Sequence, residues 1–141
     1  MTVTLSDEAM GFIALFEDET GATARDCVVD EESDRLIFLV AAGEMGEAIG
    51  PGGQHVQSVE DQLDREIKLV EDAPTPEDFV ASALAPAAVY NVTISENDDR
   101  VAYAEVAEED RGAAIGADGR NIEAARELAA RHFDVDEIEL T

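Results

Sequence analysis

The stretch MGEAIGPGG at Met45–Gly53 is repeated as RGAAIGADG at Arg111–Gly119, with Gly, Ala, Ile, Gly and Gly in register. The two copies are offset by 66 residues, which is close to half of the 141-residue chain. Self-similarity at such a spacing indicates repeated structural units. We therefore predict two units of one fold, each near the lower size limit at which a segment buries enough surface to fold.

The first half predicts the element order helix, strand, strand, helix, helix, strand. Ser6 caps the first helix and Gly21 ends it, while Met10, Ile13 and Phe16 give the helix an apolar face. The remaining predicted elements are strands at 25–30 and 35–41, a short helix at 44–49, a helix from Gly53 with an apolar stripe of Val56, Val59 and Leu63, and a strand at 65–71.

A break at Asp72–Pro76, where two prolines flank Thr75, separates the halves. The second half predicts the same order, with a helix at 76–84, strands at 88–96 and 100–107, helices at 108–115 and 119–132, and a strand at 135–140. We predict an α+β protein in which each domain is αββααβ, with a three-stranded sheet packed on helices. The predicted domains are 1–72 and 77–141, joined by a linker at 73–76.

The chain has 34 Asp and Glu against nine Lys and Arg, a net charge of −25 that is unusual for a protein that binds nucleic acid. A disordered acidic tail does not explain the charge, because the carboxylates are spread among apolar residues along the whole chain. An acidic surface that binds a basic partner is a second explanation, but such a surface would normally be localised to one part of the chain. Adaptation to cytoplasm with molar salt fits best, because screening there shortens the Debye length to about 3 Å, and Lys68 is the only lysine.

Other function classes find no support in the sequence. No apolar run approaches the ~20 residues of a membrane span, and MTVTLSDEAM at 1–10 lacks the layout of a secretion signal, so we expect a cytoplasmic protein. Cys27 is the only cysteine and is expected to be a small buried side chain. Because no phosphate-binding loop, dinucleotide fingerprint or catalytic triad is suggested, we expect no enzyme, cofactor, metal or small-molecule substrate.

A helix-Gly-x-x-Gly-helix segment preceded by Ile, inside an αββααβ order, resembles the type II KH fold. With DETGATARDCVVD at 18–30, ALAPA at 83–87 and AIGADGRNI at 114–122, the tandem pair closely resembles the archaeal NusA-like transcription factors over essentially the whole chain. The resemblance implies a KH pair without the polymerase-binding domain and oligonucleotide-binding barrel of the bacterial factor. It implies single-stranded RNA binding in control of transcription termination or elongation. We expect a monomer, with RNA polymerase as a further partner.

The predicted RNA-binding residues are the two glycine turns and their flanks. Glycine leaves the backbone free to lie against a sugar–phosphate chain, and the helix that each turn opens favours an anion. Ile49 and Ile115 are expected to anchor the turns in the core. The candidate residues are Ile49, Gly50, Pro51, Gly52, Gly53 and Gln54 in the first half and Ile115, Gly116, Ala117, Asp118, Gly119 and Arg120 in the second.

The middle positions of the two turns, Pro51–Gly52 and Ala117–Asp118, lack the Lys or Arg that usually faces phosphate in a KH turn. Asp118 would repel RNA in ordinary salt, whereas Arg120 supplies a nearby cation. We therefore expect the first turn to be the more competent for phosphate. The same departure supports an alternative function, in which a degenerate KH pair docks on RNA polymerase or a ribosomal component.

The histidines and two helix arginines are expected to have structural roles. His55 and His132 lack the neighbouring ligands that a metal site needs and are expected on the surface. Arg126 and Arg131 are expected to pair with helix carboxylates rather than to contact bases.

Overall fold

A computed structural model describes residues 5–141 and divides them into two compact units, 5–72 and Ala73–Thr141. Each unit has its own three-stranded sheet and its own helices. The two units are described in turn.

The first unit has the predicted order of one helix, two strands, two helices and one strand. Its elements are α1 (Asp7–Thr20), β1 (Ala24–Asp30), β2 (Arg35–Val40), α2 (Met45–Ile49), α3 (Gln54–Leu63) and β3 (Glu66–Glu71). The ends of these elements differ from the predicted ends by no more than one residue.

Helix α1 begins and ends as the sequence predicts. Ser6 Oγ accepts a hydrogen bond from the Ala9 N–H at 3.1 Å, which satisfies one of the free donors in the first turn. Gly21 ends the helix with φ of 77°, a conformation that favours glycine. Met10 departs from the prediction, because its side chain is 48% exposed whereas Ala9 and Phe16 are buried.

The first sheet has the order β1-β2-β3. Strand β1 runs antiparallel to β2, with Cys27 opposite Phe38, and β3 runs parallel to β2, with Leu69 opposite Phe38. A parallel neighbour requires a crossover connection, which α2 and α3 provide. Phe38 also stacks on Phe16 of α1 with ring centroids 4.4 Å apart, so the core lies between the helices and the middle strand.

The second unit repeats the element order. Its elements are α4 (Pro76–Ala83), β4 (Val89–Glu96), β5 (Arg100–Val106), α5 (Arg111–Ile115), α6 (Arg120–Phe133) and β6 (Glu137–Leu140). A short 3-10 segment, Glu108–Asp110, precedes α5. The last strand begins two residues later than predicted, because the Val135 N–H still donates to the Ala129 carbonyl at the end of α6.

Helix α4 begins at Pro76, inside the segment that the sequence predicts as a linker. Thr75 is its N-cap, and the Thr75 hydroxyl accepts a hydrogen bond from the Asp78 N–H at 3.1 Å. Proline at the first helical position loses no hydrogen bond there. Two of the three residues of the Pro-Thr-Pro stretch, Thr75 and Pro76, therefore form the start of a helix.

The second sheet has the order β4-β5-β6, with β4 antiparallel and β6 parallel to β5. Its middle strand is lined with small residues, since Ala102 and Ala104 face the helices and are fully buried. Phe79 of α4 and Phe133 of α6 meet with ring centroids 5.1 Å apart. The architecture is the predicted one, two αββααβ units that each pack a three-stranded sheet on helices.

Candidate nucleic-acid interface

The two glycine turns have the same backbone conformation. Gly50 has φ of 76° and ψ of 169°, and Gly116 has φ of 79° and ψ of 171°. The next three residues form a 3-10 turn in each copy, Pro51–Gly53 and Ala117–Gly119. Helices α3 and α6 begin directly afterwards, so the sequence repeat is also a repeat of backbone geometry.

The first glycine of each turn is required by packing inside the turn. A Cβ on Gly50 would lie 2.5 Å from Cγ of His55, and a Cβ on Gly116 would lie 2.8 Å from the backbone nitrogen of Asn121. Both glycines also have positive φ, which side chains disfavour. These two residues therefore fix the approach of the following helix, whatever the turn binds.

The last glycine of each turn faces open space. Gly53 and Gly119 have φ of 79° and 76°, and a Cβ on either one would meet no atom within 4 Å. They are the N-cap residues of α3 and α6, and neither helix has a side-chain cap. The first N–H of each helix, on Gln54 and Arg120, donates to the carbonyl oxygen of Pro51 or Ala117, so an anion at these helix starts is favoured mainly by the helix dipole.

The third position is where the turns differ in chemistry. Gly52 has φ of 61° and ψ of 19°, and Asp118 has φ of 55° and ψ of 26°. Aspartate is one of the few residues with a side chain that tolerates this left-handed conformation. Both residues are exposed, as are Pro51 and Ala117 beside them. The second turn thus carries a carboxylate at its tip, and the first carries no charge there.

Equivalent side chains fasten both turns to the short helix before them. Nδ1 of His55 lies 2.7 Å from the Glu47 carbonyl oxygen, which requires a proton on Nδ1. Asn121, 66 residues later, donates through Nδ2 to the carbonyl oxygens of Ala113 and Ala114 at 3.3 and 3.0 Å. His55, predicted to be a surface residue, is partly exposed and also holds the turn.

The prediction that Ile49 and Ile115 anchor the turns is wrong. Each is 40% exposed, whereas Ala48 and Ala114, one residue earlier, are fully buried. Consecutive side chains on a helix are about 100° apart, so a short helix that buries the alanine turns the isoleucine outward. The isoleucines instead add an exposed apolar side chain next to each turn.

In the second unit a groove of about 340 Å³ runs beside the turn. Its walls come from α5, α6 and β6, and its end is formed by Gly119. The apolar lining residues are Ile115, Ile122 and Leu140, and the charged ones are Arg111, Glu123, Arg126 and Glu139. A groove with apolar and charged walls next to a Gly-x-x-Gly turn can hold unstacked bases while the turn contacts the nucleic-acid backbone.

Arg126 is fixed on the wall of this groove. Its guanidinium pairs with the Glu123 carboxylate at 2.7 Å and donates to the Ile138 carbonyl at 3.1 Å, which confirms the predicted carboxylate pairing. The equivalent residue of the first unit is Glu60, whose carboxylate accepts a hydrogen bond from the Ile67 N–H at 3.2 Å. The two units therefore fasten α3 and α6 to the closing strand with side chains of opposite charge.

The strand wall of the groove was not predicted from the sequence. Ile122 and Arg126 lie four residues apart, so their common helix face could have been found from helical spacing. Glu139 and Leu140 reach the groove only because β6 pairs in parallel with β5. That pairing joins residues far apart in the chain, and no local pattern reports it.

Two searches of the described residues bear on other kinds of site. Between residues 5 and 141 no cluster of three or more His, Cys, Asp or Glu side chains is placed to hold a metal ion. No helix in the same range is both long and apolar enough to cross a membrane.

Models of known families match both units. A model described as NusA-like second KH domain matches residues 76–141, and a model described as KH domain matches residues 13–75. Each match includes one Gly-x-x-Gly turn. The predicted fold class, two tandem KH domains, is confirmed.

Curated relatives match along the whole chain. A protein of Halobacterium salinarum named probable transcription termination protein NusA is 66% identical over 141 residues, which is 100% of both chains. A protein of Halococcus morrhuae with the same name is 63% identical over 140 residues and 99% of each chain. A third, from Methanococcus vannielii, is 33% identical and covers 99% of this chain and 80% of the relative.

A solved structure has the same fold. The crystal structure of APE1850 matches with a TM-score of 0.87 and 34% sequence identity. The match covers 97% of this chain and 100% of that protein.

Proposed function

The chain belongs to the archaeal NusA family of transcription termination proteins, and on that premise we propose that its two Gly-x-x-Gly turns bind single-stranded RNA. The relatives are named for transcription termination, so the RNA is a transcript under synthesis. The observation that carries the proposal is the open last glycine of each turn at the uncapped start of a helix.

Each turn has a specific task in this proposal. Phosphate lies against Gly53 or Gly119, at the positive end of the α3 or α6 helix dipole. About four unstacked nucleotides then follow the apolar surface beside the turn, which is typical of a KH site. Ile49 and Ile115 contact bases from their exposed position.

The charge of the chain determines how such a site works. Backbone N–H groups bind phosphate without releasing the counterions that a Lys or Arg contact would release. We therefore expect affinity for RNA to fall only slightly as KCl rises, since molar salt also screens the repulsion from the acidic surface. We further propose a monomer in salt-rich cytoplasm, with RNA polymerase as its protein partner.

The experiment is fluorescence anisotropy with short single-stranded RNAs in molar KCl. Gly52→Asp should weaken binding about threefold, because it adds a charge at the tip of the first turn that is partly screened. Asp118→Lys should strengthen binding by a similar factor. Asp118 already occupies the left-handed conformation at the same position, so the first substitution is compatible with the turn.

Matched controls keep the charge change and move it elsewhere. Asp98→Lys makes the same change in the exposed hairpin turn of the second unit, and Gly43→Asp adds a carboxylate at another glycine with positive φ and open space. Equal effects of control and turn variants would mean that net charge alone acts. No binding by the unmodified protein, or indifference to both turn substitutions, would contradict the proposal.

A further inference from the structure

The second unit has another groove, between α4 and the neighbouring strand β4. Its volume is about 270 Å³, and it lies away from the Gly-x-x-Gly turn. Glu77 and Asp78 line it from the first turn of the helix, and Tyr90 and Asn91 line it from the strand. Nothing in the proposed RNA site uses these residues.

Tyr90 is the most unusual residue of this surface. Its side chain is 68% exposed, more than any other large apolar or aromatic residue among those described. An exposed aromatic ring beside a groove is typical of a protein–protein contact, where Tyr is enriched. Tyr103, on the next strand, is 41% exposed and does not line the groove.

Strand β4 is an edge of its sheet, since the order is β4-β5-β6. It is eight residues long, and its sequence VYNVTISE contains neither the Pro nor the Lys that often protects an edge. Its register irregularity lies between Val89 and Asn91, at Tyr90, so the unprotected part of the edge is the regular stretch from Asn91 to Glu96. An edge strand presents outward-facing N–H and C=O groups with which an extended peptide can pair.

The charge of the groove selects the partner. Glu77 and Asp78 are exposed, and among residues 5–141 neither has a cation paired with it. Molar salt screens the repulsion between these carboxylates and a phosphate, but Arg or Lys side chains in direct contact would still pair with them through charge-assisted hydrogen bonds. We propose that the α4–β4 groove docks an extended basic segment of another protein, which adds a strand to β4 and packs on Tyr90.

The test uses the full chain in molar KCl and a fluorescent peptide of alternating Arg and Thr, about eight residues long to match β4. Tyr90→Ala should weaken peptide binding about tenfold, the usual loss for an aromatic anchor. Tyr103→Ala is the matched control and should change it less than about twofold. Glu77→Gln with Asp78→Asn should also weaken binding, whereas an alternating Glu and Thr peptide should not bind.

Three outcomes would overturn the proposal. The first is no binding of the basic peptide, and the second is equal loss for the two tyrosine variants. The third is loss of RNA binding by Tyr90→Ala with peptide binding unchanged, which would assign the surface to nucleic acid. A peptide of the same sequence with every backbone nitrogen methylated tests strand pairing, because it keeps the charge but lacks the N–H donors. Besides these three outcomes, undiminished binding of that peptide would rule out the added strand.

Discussion

The turns Gly50–Gly53 and Gly116–Gly119 share one backbone conformation but differ in charge. Glycine at the first position allows the next helix to approach, and glycine at the last leaves the helix start open. The middle positions have no such constraint apart from the left-handed third residue, which is Gly52 in one turn and Asp118 in the other. The shape of the turn is therefore fixed by its ends, so its charge can vary without changing the shape.

The charged residues beside the two turns differ in the opposite sense from the turns themselves. The first unit combines an uncharged turn with Glu60 on α3, whereas the second combines the acidic Asp118 with a groove that contains Arg111 and Arg126. Each unit thus has one element that favours RNA and one that opposes it. If both turns bind, the second site adds the arginines Arg111 and Arg126 beside its turn, although Glu123 and Glu139 line the same groove.

The largest expected effect is on the first glycine of each turn. Gly116→Ala should lower the free energy of unfolding by about 3 kcal/mol and Gly50→Ala by about 2 kcal/mol. The new methyl group meets the backbone nitrogen of Asn121 in the second turn, but only the movable His55 ring in the first. Denaturant unfolding in molar KCl measures both.

The last glycines are the controls for this experiment. Gly53→Ala and Gly119→Ala have the same unfavourable φ but no steric conflict, so each should cost only about 1 kcal/mol. Losses as large as those at the first glycines would show that φ alone matters, and the packing argument would fail.

The next largest effect is a difference in stability between variants of the two side chains that fasten the turns, Asn121 and His55. Asn121→Ala should cost about 2 kcal/mol, because it leaves buried carbonyl oxygens of the second unit without a donor. His55→Ala should cost about 1 kcal/mol, since water can reach the half-buried site. Thermal unfolding compares them. His55→Asn should recover part of the loss, and a cost for His55→Ala as high as that for Asn121→Ala would contradict this ranking.

A smaller effect comes from exchanging the third residues. Gly52→Asp should lower the free energy of unfolding by less than about 1 kcal/mol, and Asp118→Gly should raise it by a similar or smaller amount. The reason is that glycine reaches the left-handed conformation without strain. Changes of the same sign in both turns, measured by denaturant unfolding, would mean that the turns are not equivalent.

The smallest effect concerns acid stability. Hydrogen bonds from Gln62 and Ser58 hold the pKa of the Glu19 carboxyl below its usual value, and the Ser58 hydroxyl lies 2.9 Å from it. A lowered pKa stabilises the fold above the unfolded-state pKa, and this contribution is lost as pH falls through the folded-state pKa. Ser58→Ala should therefore reduce the loss of stability as pH falls below the unfolded-state pKa of the Glu19 carboxyl. Ala124 occupies the equivalent position in the second unit, and Ala124→Gly should leave the pH dependence unchanged.

Local signals in the sequence predicted most of the fold. Ser6, Thr75 and the glycine turns mark helix ends through caps and backbone conformation, which depend on near neighbours. Prediction from the sequence failed where two adjacent residues compete for one buried position. Ala48 and Ile49 are both apolar, and only the packing of a short helix decides that the smaller one faces the core.

Only part of the candidate site could be predicted, again because local signals are readable in the sequence and distant contacts are not. The turn residues form one continuous motif, so they could be found without a structure. The groove in the second unit depends on β6, and the fastening roles of His55 and Asn121 depend on carbonyl oxygens of a preceding helix. Residue type does not reveal such contacts, because both side chains also suit an exposed surface.

The buried thiol of Cys27 allows the opening of the first unit to be followed by the rate of thiol labelling. Cys27 lies on β1 opposite Phe38, is 3% exposed, and is the only cysteine in a chain without tryptophan. An alkylating reagent can reach it only when the first unit opens, so the labelling rate reports the opening of that unit alone. The same reaction proceeds in molar KCl and needs no introduced probe. The effect of a first-turn substitution on the opening rate of its own unit can therefore be measured separately from any effect on the second unit.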